Sequence, residues 1–445
     1  MKISSSIFSI LLIIIVNSCH TLILSAQEEK IISDISELFE IAKENNYVIQ
    51  NGEFQAELTE LNRKTAIGNA INPKIPLSFQ AIDNITQQVS FLPGQVFGLP
   101  NGTYKEVIIG QQYISTLNIQ PQFDILNFAN IDQIKSSKIN QQLISNQNKI
   151  NEQNIYYQIC SIYYNIISFQ SQRIMIQKNQ RIAEQIYEII NNRYKEGIAR
   201  KQELNEAESN MLLIQDKLDQ LYLNLKIQYQ SLELLFENKF SCVLVESLER
   251  YSNLGEEDNI HAIANNLNEQ NLKLQRQLAE QELSSLKHQN IPVLSLISSI
   301  SWQNQSNSFF FHKDSNWIDF SFIGLKLQYD IPTTVQKYSN YKAKQLQIKS
   351  LLANEVHQQN DKTTKSQILN YEYEKSIKQA QLYQKIYLLK KDTYEKNNNQ
   401  FIENILSLDK LLIAQNDMII SELNLITAMT NIGYNQSKIE INNSL

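Results

Sequence analysis

The chain is short of everything that punctuates or cross-links a fold. Its 445 residues include only 10 glycines, 7 prolines and 3 cysteines. So few breakers exclude a fold of many short elements and predict long uninterrupted ones. Cys19, Cys160 and Cys242 make no disulfide framework and have no CxxC spacing. Cys160, inside "IYYQICSIYYNII", reads as a small apolar core residue with no redox role. A cationic surface is missing as well. The net charge is −6 and the pI about 5.6, with Lys and Arg spread along polar helical stretches, so no nucleic-acid partner is expected. The five histidines, His20, His261, His288, His312 and His357, have no metal-ligand spacing. There is no phosphate-cradling glycine loop and no G-x-S-x-G elbow, and Glu256 and Glu257 belong to a polar loop. No catalytic residue, cofactor or metal site is read, and the chain is not expected to be an enzyme.

The N-terminus carries Lys2, the apolar run Ile7 to Val16, and a polar break at Asn17 and Ser18. The run is too short to span a bilayer as a helix, and the layout is that of a secretory signal. Cleavage after Ala26, in "LILSAQEEK", would make residues 1–26 the signal peptide. The rival reading takes "VNSC" as a lipidation box with Cys19 as the first mature residue. On either reading the chain leaves the cytoplasm.

What the chain has in quantity is helical periodicity. Residues 31–70 read as helix, and Asn127 to about Glu196 runs without Gly or Pro, with Ile155, Ile159, Ile162, Ile166 and Phe169 on one face. Such a helix would be about 100 Å long. After Gly197 the positions Met211, Ile214, Leu218, Leu221 and Leu225 repeat as a coiled-coil seam. Two further long helices are predicted, from about Val335 to Lys396 and on to about Lys438.

Between the helices stand alternating segments. Pro73 and Pro76 open "PKIPLSFQAIDN", and a strand is predicted over roughly Val107 to Leu126. In its "QYISTLNIQPQFDIL" portion Tyr113, Leu117, Ile119, Phe123 and Ile125 share one parity, and Thr116, Asn118, Gln122 and Asp124 share the other. "IPVLSLISSISW" and "WIDFSFIGLKLQYDI" repeat the pattern, with Ile114, Phe320 and Phe322 out of phase. Helix, two strands, long helix, break, helix thus occurs twice, which divides the chain into repeats 27–250 and 251–445. "YKEGIARKQELNEA" (194–207) also aligns without gaps on "FIENILSLDKLLIA" (401–414), with Gly197 meeting Asn404. Both residue types tolerate a left-handed backbone, so a sharp turn is predicted at each.

Two-faced strands in water would expose their edges. In a bilayer, strands span only as a closed barrel, and these segments reach the roughly 9–11 residues a membrane strand needs. Trp302 and Trp317, with Phe309, Phe310 and Phe311 between them, suit an aromatic girdle at the membrane interface. Four strands are too few to enclose a channel, so several copies must contribute; three would give twelve strands, although spacing alone does not select three.

In this order of elements the chain resembles the TolC-like outer-membrane efflux protein family. The resemblance is carried by the two repeats, the strand pairs after a Pro-containing segment, and Y-x-x-G followed after ten residues by Ala, here Tyr194, Gly197 and Ala207. The C-terminal "AMTNIGYNQSKIEI" is also similar to the family's last helix. The resemblance implies a mostly α fold with a membrane β-barrel: a homotrimer with a twelve-stranded barrel in outer-membrane lipid and a coiled-coil helical tunnel in the periplasm. It implies docking to a periplasmic adaptor (membrane fusion) protein and to an inner-membrane RND or ABC transporter. The chain would then be the passive exit duct of a tripartite efflux or type I secretion system. The segments 194–207 and 401–414 would form the periplasmic tip and gate, with Tyr194, Gly197, Glu203, Phe401, Asn404, Asp409 and Lys410 as its residues. There the sequence departs from the family. Lys410 and Ile413 stand at positions that are often acidic, leaving Asp409 and Glu203 as the nearby carboxylates. Phe401 replaces a Tyr whose hydroxyl often helps latch the tip, so apolar packing is expected to hold it. The alternative function is a secreted or periplasmic coiled-coil scaffold or adhesin without transport.

Overall fold

The computed structural model describes residues 30–245, 248, 261–263, 267–313, 316–329 and 334–444; the 1–26 segment and Cys19 lie outside the described residues. Two compact units form, and each draws on both halves of the chain. The first gathers the described parts of 1–53, 148–267 and 360–445, the second 54–147 and 268–359.

Helices α1 (Ile35–Asn45), α2 (Tyr47–Ile71), α3 (Phe128–Lys195), α4 (Lys201–Leu235), α5 (Leu267–His288), α6 (Thr334–Ile402) and α7 (Leu408–Ser444) carry most of the chain. The longest, α3 and α6, have 68 and 69 residues and contain neither Gly nor Pro, so nothing interrupts their hydrogen-bond ladders. The helix expected over 31–70 is two helices, parted at Asn46. The Asn46 side chain accepts from the Val48 amide (2.9 Å) to start α2, and donates to the Leu235 carbonyl (2.9 Å) at the end of α4. One buried amide therefore ties three helix ends together.

The first unit's core is built on the apolar seam of α3. Ile159, Tyr163, Ile166 and Ile167 are fully buried with Leu232, Phe236 and Ile432. Strand β1 (Lys30–Ile32) runs parallel to β7 (Cys242–Leu244) and buries Ile32 and Leu244 against the same core. Cys160 is buried there, and burial pushes its thiol well above the ordinary range, so it acts as packing and not as a nucleophile.

The second unit carries a sheet of β2 (Leu77–Asp83), β5 (Tyr113–Ile119), β6 (Gln122–Leu126), β8 (Val293–Ser306) and β9 (Trp317–Gln328), plus a hairpin of β3 (Val89–Pro93) and β4 (Tyr104–Ile108). The strand expected over 107–126 is therefore three pieces. Val107 and Ile108 belong to the hairpin, Gly110 turns the corner with φ of 94°, and Pro121 divides β5 from β6. Proline has no amide to give the ladder. Its carbonyl still accepts from the Ser298 amide (2.9 Å), and β5 and β6 pair with successive stretches of the same strand, β8. Five strands thus fill four positions, in the order β2, β5/β6, β8, β9. Near the sheet, buried Asp132 of α3 lies 2.7 Å from His288 of α5 and accepts from Gln281 at 2.7 Å, fixing these helices to each other. Among the described residues no helix is long and apolar enough to cross a membrane.

Because Ile166 has no exposed surface, Ile166→Ala should cost about 3 kcal/mol of stability. Thermal unfolding of the purified protein, followed by its helical circular dichroism, checks this; an unchanged transition would contradict the core described.

Candidate functional site

Two regions concentrate the candidate residues, and the first is the pair of turns in the helical unit. After α3 the Gly197 amide donates to the Tyr194 carbonyl (3.0 Å) and the Ile198 amide to the Arg193 carbonyl (2.8 Å). After α6 the Asn404 amide donates to the Phe401 carbonyl (3.1 Å) and the Ile405 amide to the Gln400 carbonyl (2.8 Å). Both are Schellman caps, in which a left-handed residue lets the chain turn back onto its own last carbonyls. Gly197 and Asn404 supply that residue, with φ of 76° and 63°. The two turns are equivalent bond by bond.

The acids foreseen at this end serve the helix starts. The Glu203 carboxylate accepts from the Arg200 amide (2.7 Å), closing the first turn of α4. Asp409 lies in the first turn of α7, where the Ser407 hydroxyl and nearby backbone amides hold its carboxyl below the usual range. Lys410 beside it is exposed. Among the described residues no group of His, Cys, Asp or Glu is arranged to hold a metal ion.

Packing breaks the equivalence of the turns. Phe401 is 4% exposed, in a cluster with Ile186, Ile190, Leu204, Leu408 and Leu411, and the Arg193 guanidinium lies 5.2 Å from its ring centre. Its counterpart Tyr194 is 40% exposed, with the Lys201 ammonium 5.6 Å from its ring. Cation–π contacts of this kind add about 0.5–1 kcal/mol at exposed sites. Sequence reading missed both cations, because a side chain crossing to another helix leaves no periodic signal. Beside the turns an open groove of about 640 Å³ runs between α4 and α7, lined among others by Asn205, Glu206, Asn210, Asp409 and Ile413.

The second region is the sheet, whose register assigns every side chain to a face. On one face lie Leu77, Phe79, Leu117, Ile119, Phe123, Leu126, Leu294, Leu296, Ile300, Trp302, Ile323, Leu325 and Leu327. On the other lie Ser78, Gln80, Thr116, Asn118, Gln122, Asp124, Ser295, Ser299, Ser301, Gln303 and Lys326. The parity read from 113–125 is this division up to Asp124; there a register shift leaves Ile125 out of the alternation and sets Leu126 beside Leu294 instead. From Leu294 to Trp302 this face extends about 26 Å along β8 at ~3.3 Å per residue, interrupted by Ser298 and, on β9, by Ser321 and Asp319 opposite Ile300 and Trp302. The hydrophobic band of outer-membrane barrels is about 25 Å tall. Trp302 sits within β8 and Trp317 begins β9 on the same apolar face. Phe311 stacks between Trp317 (6.0 Å) and Phe79 (6.1 Å), and Tyr113 packs on Phe309 and Phe310, so this end of the sheet is capped by aromatic rings.

No family model matches the sequence, and no curated protein does. Solved structures do. The CmeC outer membrane channel of Campylobacter jejuni is 15% identical, with 92% of this chain covering 84% of that one and a TM-score of 0.70. CusC, studied for conformational changes accompanying folding and transmembrane channel formation, is 13% identical, with 95% of each chain covered and a TM-score of 0.71. The open state of the MtrE outer membrane channel of Neisseria gonorrhoeae is 12% identical, with 92% and 88% covered and a TM-score of 0.70. The fold is TolC-like. That extends over nearly the whole described chain, both the long helices and the curled sheet.

A Cβ added at Gly197 would touch nothing within 4 Å, so Gly197→Ala pays only for its left-handed backbone, about 1 kcal/mol. Asn404→Gly should cost nothing, since glycine occupies that conformation freely. Chemical or thermal denaturation of the two variants side by side tests the pair. Equal losses would refute the assigned turn conformations.

Proposed function

We propose that the protein is a passive exit duct of the bacterial outer membrane, assembled from three copies and driven by partners. The observation that carries this is a two-faced sheet with both edges open. Among the described residues β2 and β9 each pair on one side only, and away from the Phe311 ring the apolar face is open: Leu77, Ile323, Leu325 and Leu327 are 67–75% exposed. Hydrocarbon suits that face, but hydrocarbon tolerates no open edge. Joining β9 of one copy to β2 of the next satisfies both demands, with the amide- and hydroxyl-bearing face turned to a water-filled interior. Four positions per copy make a ring of twelve when three copies join. The helices agree, since α2 presents Phe54, Leu58 and Leu61 to solvent in one copy, at the spacing of a helix-packing stripe.

On this reading the aromatic cap with Trp302 and Trp317 lies at the membrane interface, and residues 1–26 or the lipidation of Cys19 direct export. The recurrence of helix, strands, long helix, turn and helix reflects two repeats, 27–250 and 251–445. The paired turns with Tyr194, Gly197, Glu203, Phe401, Asn404, Asp409 and Lys410 form the periplasmic tip. The adjoining groove offers a seat for a helix of a periplasmic adaptor, which would link the duct to an RND or ABC transporter in the inner membrane, for efflux or type I secretion. The cargo is chosen by that pump.

Fractionation tests the duct. The protein should stay with outer membranes through salt and carbonate washes and run as a detergent-stable oligomer, whereas release as a monomer would favour a scaffold or adhesin. Cysteine pairs placed one in each of 194–207 and 401–414 and then cross-linked should lower export; unchanged export at full cross-linking would remove the gate from these turns.

A further inference from the structure

The polar face of the sheet carries an apolar exception at each edge. On β9 the register turns Ile318, Phe320 and Phe322 to the polar side, beside Gln303, Ser301 and Ser299. On the opposite edge Ile82 of β2 and its partner Ile114 of β5 face the same way. Between them the wall is hydrophilic: the Ser299 and Ser301 hydroxyls both donate to the Asn118 side-chain carbonyl at 2.9 Å, and the Gln303 amide lies 3.4 Å from the Thr116 hydroxyl. Ile297 and Val293, the other apolar residues of this face on β8, lie nearer its start. Phe320 and Phe322 are each 51% exposed and Ile82 45%. Open water-facing wall gives phenylalanine no reason to be there.

We infer that these two clusters meet across the seam between neighbouring copies and clasp it from the water side. The inference rests on the ring reading above. Four strand positions about 4.8 Å apart span about 19 Å, and a tilt of about 40° then displaces the join by about 16 Å, or about five residues. Pairing must keep like faces together, so the displacement is even, about four or six residues. Within one copy Leu77 stands level with Ile119, Ile300 and Ser321. Displacing the next copy's β2 toward the end of β9 lays all of Leu77–Asp83 opposite residues within Trp317–Gln328; the other direction runs it off the start of β9. At four residues the next copy's Ile82 falls opposite Phe320, and at six opposite Phe322. Ile114 backs Ile82 from the adjacent strand. Cross-strand aromatic and β-branched pairs add about 0.2–1 kcal/mol each, and a closed ring of three copies repeats the clasp at every seam.

The test uses the full-length protein in outer membranes. Ile82→Cys is combined with Phe320→Cys, with Phe322→Cys, or with Lys326→Cys on the same face further along β9. Cys160 and Cys242 are buried, and Cys19 is replaced by Ser in every variant, leaving the new thiols as the reactive ones. Copper phenanthroline should cross-link one of the two Phe positions between copies and leave the Lys326 pair unlinked. In parallel, Phe320→Ser with Phe322→Ser should lower the temperature at which the oligomer dissociates in detergent, as should Ile82→Ser, and combining the three should lower it no further than the larger single effect. An oligomer that forms but cross-links at neither Phe position, or that keeps its dissociation temperature with the serines in place, overturns the clasp; in the second case a changed passage of apolar solutes would assign the rings to cargo instead. A protein that forms no oligomer at all overturns the ring and the clasp together.

Discussion

An unpaired strand edge is the constraint on which the rest of this molecule depends. A backbone amide can be left to water, to another strand or to nothing, and the last is costly. The sheet here is largely apolar on one side and mostly hydroxyl- or amide-bearing on the other, and among the described residues β2 and β9 each pair along one side only. A soluble protein blunts such edges with charge, proline or cover. β9 does the opposite, placing Ile323, Leu325 and Leu327 in sequence on one face and exposing all three. On the proposed reading, this is an edge built to be joined.

The helical unit answers a different demand, holding long rods in fixed register with little cross-linking. Apolar seams do most of this, and polar side chains at helix ends do the rest, with Asn46 binding three termini and Glu203 closing the start of α4. The two Schellman turns supply reversals of identical backbone geometry. Their surroundings are not identical. A carboxylate that caps a helix has its lone pairs engaged locally, so Glu203 and Asp409 have less to offer a passing cation than their position alone would suggest.

Much of this was legible in the sequence because it is periodic. The seam through Ile159 and Ile166, the parity from Tyr113 to Asp124, and the turns at Gly197 and Asn404 follow from local rules, which act within a few residues. Pairing partners were not legible. Alternation in 113–125 says that a strand has two faces but not that Pro121 splits it, nor that both pieces lie along one stretch of 293–306. The hairpin from Val89 to Ile108 gives little signal of itself, because "LPGQVFGLPNG" is dominated by turn residues and its flanking strands are short. Tyr194 and Phe401 match in sequence, yet one is exposed and the other buried, since tertiary neighbours decide exposure. Phe320 and Phe322 are out of phase with their strand's alternation, and only the register tells which side they take.

Strand β8 has a consequence for how the polypeptide comes together. β5, β6 and β9 all bond to it, and β2 is attached only through β5. Tyr113 finds its partner at Ser306, so β5 can pair with β2 early, but its other side and β6's place in the sheet wait for a strand of the second half. Closing so long a loop is entropically slow and leaves unsatisfied strands waiting meanwhile. Although its two halves follow one plan, neither can mature alone: the chain must be held in escort until its latter portion arrives, and a truncated product ending before residue 293 would be committed to aggregation or proteolysis.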